Sequence, residues 1–263
     1  MLTTRFVNGA PNWIDVGSPD IDGATSFYGG LFGWEFRSAG PDAGGYGFFQ
    51  LDGRTVAGGM QTGPGQGPPA WTVYFRSEDA QATAEAAEQA HGRVVFQPTD
   101  VMGQGRMALL ADQAGVYFGI WQPGQTKGVD VANEPGALCW VELYTPDIAA
   151  AAAFYRRVLG LETSGVPFPG GTYTCVNPEG AGEDAMFGGM VPLADDPTEK
   201  ESGAYWLPYF EVADTDAVAE QAQRLGGTVR MPATTLEGVG RMAKLADPYG
   251  VRFAVIRSEP AQG

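Results

Sequence analysis

The sequence predicts an α+β fold that is a tandem duplication, with two βαβββ modules in each copy. Three observations lead to this prediction. The chain has 263 residues, a length that suits two domains of ordinary size. Its two halves carry the same motifs in the same order. Within each half, several segments patterned as strands flank two segments patterned as helices.

The repeat is clearest at the start of each copy, where residues 13–20 match residues 140–147 at an offset of 127 positions. The same offset relates five further pairs, namely Phe27 and Phe154, Tyr28 and Tyr155, Gly33 and Gly160, Glu35 and Glu162, and Tyr46 and Tyr173. Later, residues 105–108 match residues 240–243 at an offset of 135. The change in offset places a short insertion in the second copy, near residues 178–200.

Local patterning places the elements of the first copy. Asp20 is a predicted N-cap for a helix over residues 21–32, which Gly33 ends, and residues 79–90 are also helical. Strands are predicted where residues alternate or are rich in β-branched and aromatic side chains, namely 12–17, 34–38, 46–51, 55–61, 70–76, 93–97, 106–111 and 116–121. The second copy repeats this order over residues 140–256.

A polar stretch with proline and glycine at both ends separates the two copies. We predict a first domain over residues 1–124, a linker over 125–136 and a second domain over 137–263. Two fused copies are expected to form an internal pseudo-dimer, related by a two-fold pseudo-axis, and the chain to be a monomer or a homodimer.

The composition argues against several classes of partner. Hydrophobic residues make up 44% of the chain, which is enough for a core. The formal net charge is −15, which repels phosphate backbones and anionic membrane surfaces. We therefore expect no nucleic acid and no membrane as partners.

The sequence favours a cytoplasmic location. No apolar run reaches the ~18 residues of a membrane helix, and the first residues lack the apolar region of a signal peptide. Cys139 and Cys175 are expected to be buried, reduced thiols, because the sequence gives no sign of secretion.

The twice-repeated βαβββ order has Pro-Asp before the first helix, Phe-Tyr inside it, and Phe-Gly or Leu-Gly at its end. Residues 247–250, Asp-Pro-Tyr-Gly, and the looser 112–115 precede the last strand of each copy. Together these motifs resemble the vicinal oxygen chelate superfamily, which contains glyoxalase I, extradiol dioxygenases and bleomycin-resistance proteins. The resemblance covers roughly residues 10–258. It implies mixed sheets that curl around a concave cavity in each copy.

The resemblance also implies where a metal would be held. Metal enzymes of this superfamily place a histidine seven residues before the Pro-Asp aspartate and a glutamate seven residues after the aspartate of the last turn. Another histidine and another glutamate lie on neighbouring strands. The first histidine position carries Trp13 in the first copy and Trp140 in the second. The glutamate position after the last turn carries Gly119 and Ala254, and the other histidine position carries Thr72 and Leu207.

These residues cannot replace the ligands, and the chain has one histidine, His91, at a predicted helix end. We expect no transition metal and no cofactor, which argues against glyoxalase, dioxygenase and thiol-transferase chemistry. A carboxylate-only Mg²⁺ or Ca²⁺ site stays open, although residues 20–23 lack the spacing of a calcium loop.

Alternation along the first strand of each copy places Asp15 beside Trp13, and Glu142 beside Trp140, on the cavity face. The tryptophans either sandwich a flat or cationic ligand or plug a disused metal site. The candidate ligand-binding residues are Trp13, Tyr46, Tyr74, Arg106, Tyr117, Trp121, Trp140, Tyr173, Tyr209 and Arg241.

Asp15 and Glu142 are the candidate catalytic residues, as a general base or acid, or as ligand anchors. The alternative is a structural ion pair with Arg106 or Arg241. If they bind ligand, replacing either by alanine should weaken affinity by ~1–3 kcal/mol. If they are structural, the same changes should lower the melting temperature and leave affinity unchanged.

The sequence supports three hypotheses of function. The first is a metal-free small-molecule-binding protein of the glyoxalase/bleomycin-resistance type, serving resistance to or sequestration of an aromatic or cationic metabolite. The second is a metal-independent enzyme of lyase, isomerase or hydrolase type that acts on a small carbonyl, epoxide or polyketide-like substrate, with Asp15 or Glu142 as acid or base. The third is a structural or regulatory protein whose pockets are filled.

Overall fold

The computed structural model describes residues 2–168 and 171–259. In chain order, the first copy contains β1 Pro11–Ser18, α1 Ile21–Phe32, β2 Glu35–Ser38, β3 Gly47–Leu51, β4 Arg54–Gln61, β5 Ala70–Arg76, α2 Ala80–Gln89, β6 Arg93–Asp100, β7 Gly105–Ala111 and β8 Tyr117–Pro123. The second contains β9 Leu138–Thr145, α3 Ile148–Leu159, β10 Leu161–Phe168, β11 Gly171–Pro178, β12 Gly188–Pro192, β13 Tyr205–Glu211, α4 Thr215–Arg224, β14 Thr228–Leu236, β15 Gly240–Ala246 and β16 Arg252–Ser258.

The strands form two eight-stranded mixed sheets, one for each copy. The halves of the first sheet have the orders β2-β3-β4-β1 and β5-β8-β7-β6, and those of the second have the orders β10-β11-β12-β9 and β13-β16-β15-β14. The first strand of each βαβββ module runs parallel to its neighbour in the same half, as β1 does to β4 and β5 to β8. The predicted α+β fold and its tandem duplication are confirmed.

The helix ends follow from the sequence as predicted. The Asp20 carboxylate accepts a hydrogen bond of 3.0 Å from the Gly23 amide at the start of α1, and Asp147 does the same for α3. Gly33 ends α1 in a left-handed conformation, with φ +74°. His91 follows α2 with φ +65° and is exposed, which agrees with its predicted place at a helix end.

The chain forms two compact units that do not coincide with the two copies of the repeat. Unit 1 contains residues up to Trp13, together with Thr72–Gly128 and Trp140–Leu207. Unit 2 contains Ile14–Trp71 and Val129–Cys139, with the chain from Pro208 onward. Each unit therefore combines one βαβββ module from the first copy with one from the second.

A buried Tyr–Asp–Trp triad links the two modules of unit 2. The Tyr28 hydroxyl donates to Asp247 Oδ2 at 3.2 Å and accepts from Trp71 Nε1 at 3.1 Å. Asp247 Oδ1 accepts the backbone amides of Tyr249 and Val251. The Phe-Tyr motif of one copy thus bonds to the Asp-Pro-Tyr-Gly turn of the other copy.

Unit 1 contains the matching triad. The Tyr155 hydroxyl donates to Asp112 Oδ2 at 3.2 Å and accepts from Trp206 Nε1 at 3.0 Å. Burial raises the pKa of Tyr155 well above its usual range, so the phenol stays protonated and acts as a donor. The repeated motifs that define the family resemblance therefore have a structural role in the core.

The end of the predicted linker is packed against unit 2. Val129 and Val131 are buried, and Asp130 accepts the Thr55 amide at 2.7 Å. Trp34 Nε1 donates to the Gly136 carbonyl at 2.8 Å. This segment therefore contributes to the core of unit 2. The domain boundaries given above stay a prediction.

Cys139 and Cys175 are free and buried, as predicted. Burial raises the pKa of both thiols, which makes each a poor nucleophile. Across the described part of the chain, no helix is both long enough and apolar enough to span a membrane.

The two units differ at the N-caps of α1 and α3. In unit 2 the Tyr249 hydroxyl donates to Asp20 Oδ2 at 2.7 Å, and a methyl group added at Gly23 would overlap that hydroxyl. In the repeat, Gly23 corresponds to Ala150 and Tyr249 to Ala114. The glycine and the tyrosine are thus present together in one unit and absent together from the other.

We predict that the effect of Gly23→Ala on stability depends on the residue at position 249. In the Tyr249→Ala variant it should be more favourable than in the natural sequence by about 0.5–1 kcal/mol, because alanine has the better helix propensity and the other close atom, Asp20 Oδ2 at 2.6 Å, is the end of a side chain that can shift. In the natural sequence it should give no gain, because the Tyr249–Asp20 hydrogen bond is displaced. Urea denaturation of the four proteins measures both effects, and equal changes in the two backgrounds would contradict the steric explanation.

Candidate functional site

Glu142 lies at the centre of a polar and aromatic cluster in unit 1. On β9 it lies opposite Gly189 of β12, and the residue is 7% exposed. Its Oε2 accepts the Tyr144 hydroxyl at 2.5 Å, and its Oε1 accepts the Tyr173 hydroxyl at 2.6 Å. Each carboxylate oxygen therefore has a phenol donor, and such charge-assisted hydrogen bonds fix the orientation of the group.

The close approach of Tyr173 depends on a glycine. A methyl group added at Gly189 would overlap the Tyr173 hydroxyl. Trp140 Nε1 donates to the same hydroxyl at 3.1 Å. Burial, followed by the charge of Glu142, raises the pKa of Tyr173 well above its usual range. The phenol therefore stays protonated and donates to Glu142.

The cluster extends into the insertion of the second copy. The ring of Tyr144 stacks on that of Tyr205, with centroids 5.7 Å apart and an interplanar angle of 22°. The Tyr205 hydroxyl donates to Glu199 Oε2 at 2.7 Å, and Glu199 is fully buried. We call this set the Glu142 cluster; its members are Trp140, Glu142, Tyr144, Tyr173, Glu199 and Tyr205.

Sequence reasoning found half of the Glu142 cluster. Trp140, Glu142 and Tyr173 were predicted from strand alternation and from the repeat. Tyr144 was missed, although it lies on the same strand face two residues after Glu142. Its counterpart in the first copy is Gly17, so the repeat gave no signal there.

Asp15 of unit 2 repeats the contact that Glu142 makes with a tyrosine and a glycine. It lies opposite Gly58 of β4, is 7% exposed, and accepts the Tyr46 hydroxyl at 3.1 Å. A methyl group at Gly58 would overlap that hydroxyl. Gly17, which corresponds to Tyr144, has no hydroxyl to donate. In both copies, therefore, a tyrosine hydroxyl passes over a glycine to reach the carboxylate. The copies differ in the residue two positions after that carboxylate, which is Gly17 in the first and Tyr144 in the second.

Trp13 and Trp121 stack in unit 1, with centroids 6.4 Å apart and planes inclined by 25°. Both are buried, and Trp121 Nε1 donates to the Thr126 carbonyl at 2.9 Å. On β8, Gly119 lies opposite Tyr74 of β5, and a methyl group there would overlap the Tyr74 ring. The Tyr74 ring thus covers the inner side of β8 at Gly119.

Arg106 and Arg241 have different partners in the structure. Met107 lies opposite Trp121, so Arg106 points to the other face of the sheet, where Nη2 lies 3.5 Å from the Pro98 carbonyl. Arg241 makes a bidentate ion pair with Asp216, at 2.5 and 2.7 Å. That both arginines bind ligand stays a prediction.

The two remaining predicted tyrosines lie in contrasting places. Tyr209 is buried on β13, opposite Ala254 of β16. Tyr117 is 52% exposed at the start of β8, and its hydroxyl accepts from Arg93 at 3.4 Å. Tyr117 is therefore largely exposed where β8 begins, and its role in ligand binding stays a prediction.

A family model for the "Glyoxalase/Bleomycin resistance protein/Dioxygenase superfamily" matches residues 10–120 and again residues 137–255. The chain belongs to this superfamily. The two matches account for both copies of the repeat, and the family predicted from the resemblance is confirmed.

Two curated relatives match almost the full length of this superfamily member. The anthracycline biosynthesis protein DauV of Streptomyces sp. (strain C5) is 40% identical over 274 residues, covering 98% of this chain and 96% of the relative. A Mycobacterium tuberculosis protein, CFP32, whose name suggests a glyoxylase, is 34% identical over 266 residues, covering 98% of both chains.

A solved structure has the same fold at low sequence identity. The 2,2',3-trihydroxybiphenyl 1,2-dioxygenase of Sphingomonas wittichii aligns with a TM-score of 0.64 and 16% identity, over 96% of this chain and 91% of that chain. At this identity the likeness concerns the fold alone.

The residues at the superfamily's metal-ligand positions do not fit a metal. They are Trp13, Thr72 and Gly119 in the first copy and Trp140, Leu207 and Ala254 in the second. None supplies an imidazole or a carboxylate, and the Tyr74 ring covers Gly119. Among residues 2–168 and 171–259, no group of three or more His, Cys, Asp and Glu side chains is placed to hold a metal ion.

Proposed function

We propose that this superfamily member is a small-molecule-binding protein that holds an aromatic or cationic metabolite without a metal. The observation that carries the proposal is the Glu142 cluster, in which aromatic side chains surround an oriented carboxylate. Trp140, Tyr173 and Tyr205 are half-buried, and the Tyr173 hydroxyl joins Trp140 to Glu142 through two hydrogen bonds. Such rings bind flat or cationic groups by stacking and by cation–π attraction.

The relative DauV supports this choice of ligand class. Its name places it in anthracycline biosynthesis. Anthracyclines combine fused aromatic rings with an amino sugar, and so present both an aromatic surface and a cationic group. We extend this chemistry to the present chain as part of the proposal.

A metal-independent enzyme is the second candidate, with Glu142 or Asp15 as acid or base. It would act as a lyase, isomerase or hydrolase on a small carbonyl, epoxide or polyketide-like substrate. The two phenol hydrogen bonds hold the Glu142 carboxylate in one orientation, which suits a ligand anchor as well as an acid or base, so analysis of the recovered compound separates the two candidates.

Calorimetric titration with doxorubicin, followed by mass analysis of the recovered compound, tests the proposal. Binding predicts a saturable isotherm and recovery of doxorubicin with its mass unchanged. A changed mass that depends on the protein would favour the enzyme. The absence of any binding by doxorubicin and by its aglycone would contradict the proposed function.

A further inference from the structure

Three segments of unit 1 enclose a groove of about 660 Å³, whose lining residues lie outside the Glu142 cluster. Its sides are the ends of β5 and β8 and the chain that precedes β1. The Arg76 amide donates to the Ala10 carbonyl at 2.8 Å, and the Gly9 amide donates to the Arg76 carbonyl at 2.9 Å. Asn12 Nδ2 donates to the Lys127 carbonyl at 3.2 Å. These hydrogen bonds hold the three segments side by side, so the groove is part of the fold.

The groove is positively charged. Arg5, Arg76 and Lys127 line it, and Glu78 is the one carboxylate among its described lining residues. The Glu78 side chain is 73% exposed and lies 3.4 Å from Arg76, and so exposed a pair contributes little. Within the described ranges, neither Arg5 nor Lys127 makes an ion pair. The groove therefore carries a net charge of +2, in a chain whose formal net charge is −15.

The second copy keeps the backbone of this region and lacks its charge. There Glu211 makes the same two backbone hydrogen bonds to the chain that precedes β9, at 2.8 and 2.9 Å, so it corresponds to Arg76. At the offset of 127 positions, Arg5 corresponds to Ala132. A carboxylate and a methyl group thus occupy the places of two guanidinium groups. The shared backbone arrangement does not need the arginines, which indicates that they serve another purpose in the first copy.

An apolar wall lies beside the three cations. It is formed by Phe6, Val7 and Pro123. A methyl group added at Gly128 would overlap the Phe6 ring, so this ring packs directly on the main chain. Val7 is 45% exposed. We call the whole feature the cationic groove; its members are Arg5, Phe6, Val7, Arg76, Pro123 and Lys127.

We propose that the cationic groove is a second binding site, which takes an organic oxyanion, that is, a carboxylate or a phosphate monoester on a small apolar body. Guanidinium groups bind both kinds of oxyanion through paired, charge-assisted hydrogen bonds, and Arg5 and Arg76 supply two of them. Lys127 adds a third positive charge. Phe6 and Val7 contact the apolar body. The site does not depend on the proposed function, because it shares no residue with the Glu142 cluster.

An NMR titration of the full chain with benzoate and with phenyl phosphate tests the proposal. At least one of them should bind saturably and shift the amide signals of Phe6, Val7 and Arg76. Benzamide, the neutral counterpart of benzoate, should bind at least about tenfold more weakly, and added NaCl should weaken oxyanion binding because it screens the charges. Binding of benzoate alone would identify a carboxylate site, and binding of phenyl phosphate alone a phosphate site.

Three variants test the assigned residues. Arg76→Glu, which introduces the residue of the second copy, should weaken oxyanion binding about tenfold or more, and Arg5→Gln about threefold to tenfold. Glu78→Gln should strengthen binding about twofold to threefold, because it removes the one repelling carboxylate. If Arg76 only supported the fold, Arg76→Glu would lower the melting temperature and Glu78→Gln would not improve binding.

Arg37 supplies the matched control, because it is an exposed arginine 3.3 Å from a glutamate two residues away, as Arg76 is from Glu78. Arg37→Glu changes the net charge of the chain by the same amount, and should leave oxyanion binding unchanged. Equal losses from Arg37→Glu and Arg76→Glu would show attraction by overall charge and overturn the proposal. So would a natural protein that binds neither benzoate nor phenyl phosphate at low salt.

Discussion

Replacing Tyr28 by phenylalanine is expected to destabilise the protein by about 2–4 kcal/mol. The change removes one hydroxyl that serves two buried partners, the Trp71 N–H and Asp247 Oδ2. An unsatisfied buried donor or acceptor costs about 1–3 kcal/mol, and more if it is charged. Urea denaturation followed by tryptophan fluorescence measures the loss. Tyr155→Phe, in the triad of unit 1, should have a similar effect.

Tyr249→Phe is the matched control, because its hydroxyl also donates to an aspartate but lies at the surface. It should cost less than about 1 kcal/mol. A loss for Tyr28→Phe no larger than that for Tyr249→Phe would contradict the role assigned to the triads.

The effect of Tyr28→Phe should also depend on pH. Burial raises the pKa of Asp247, while the hydrogen bond from Tyr28 lowers it, so the variant should raise this pKa further. A raised pKa means that the folded state binds the proton more tightly. The associated stability is present in acid and is lost as the pH rises through the folded pKa. The cost of Tyr28→Phe should therefore be larger at neutral pH than in acid.

Gly119→Ala is expected to cost about 1–3 kcal/mol, although it adds a single methyl group. That group would overlap the buried Tyr74 ring, so the ring or the strand has to shift. In a Tyr74→Ala background the same substitution should cost much less, because the space is free. A double-mutant cycle by denaturation measures this coupling.

Gly63→Ala is a suitable control, since the nearest atom to an added methyl group there is 3.7 Å away. It should be close to neutral. If Gly119→Ala lowered the free energy of unfolding equally with and without the Tyr74 ring, the ring would not be what prevents a side chain at position 119. Steric exclusion by Tyr74 would then no longer be a reason against a metal-binding side chain at position 119.

The order and type of the elements could be predicted because each had a local signal. The cap at Asp20, the left-handed Gly33 and the alternation of the strands are properties of short segments. The way in which each unit combines modules from both copies could not be predicted. It depends on long-range contacts, such as that of Tyr28 with Asp247, which no local pattern encodes.

The candidate site was predictable where the two copies agree. Tyr173 was found through its match to Tyr46, and Glu142 through alternation from Trp140. Glu199 was missed because the insertion has no counterpart in the first copy. Whether Arg106 and Arg241 face a ligand could not be derived from the sequence, because both faces of β7 and β15 carry buried residues.

The most direct test of metal-free binding is to repeat the doxorubicin titration after exhaustive dialysis against EDTA, and again after adding Mn²⁺, Fe²⁺ or Zn²⁺. The proposed function predicts the same dissociation constant in every case, because Trp140, Leu207 and Ala254 supply no metal ligand. Loss of binding on chelation, with recovery when one of these ions is added, would contradict it.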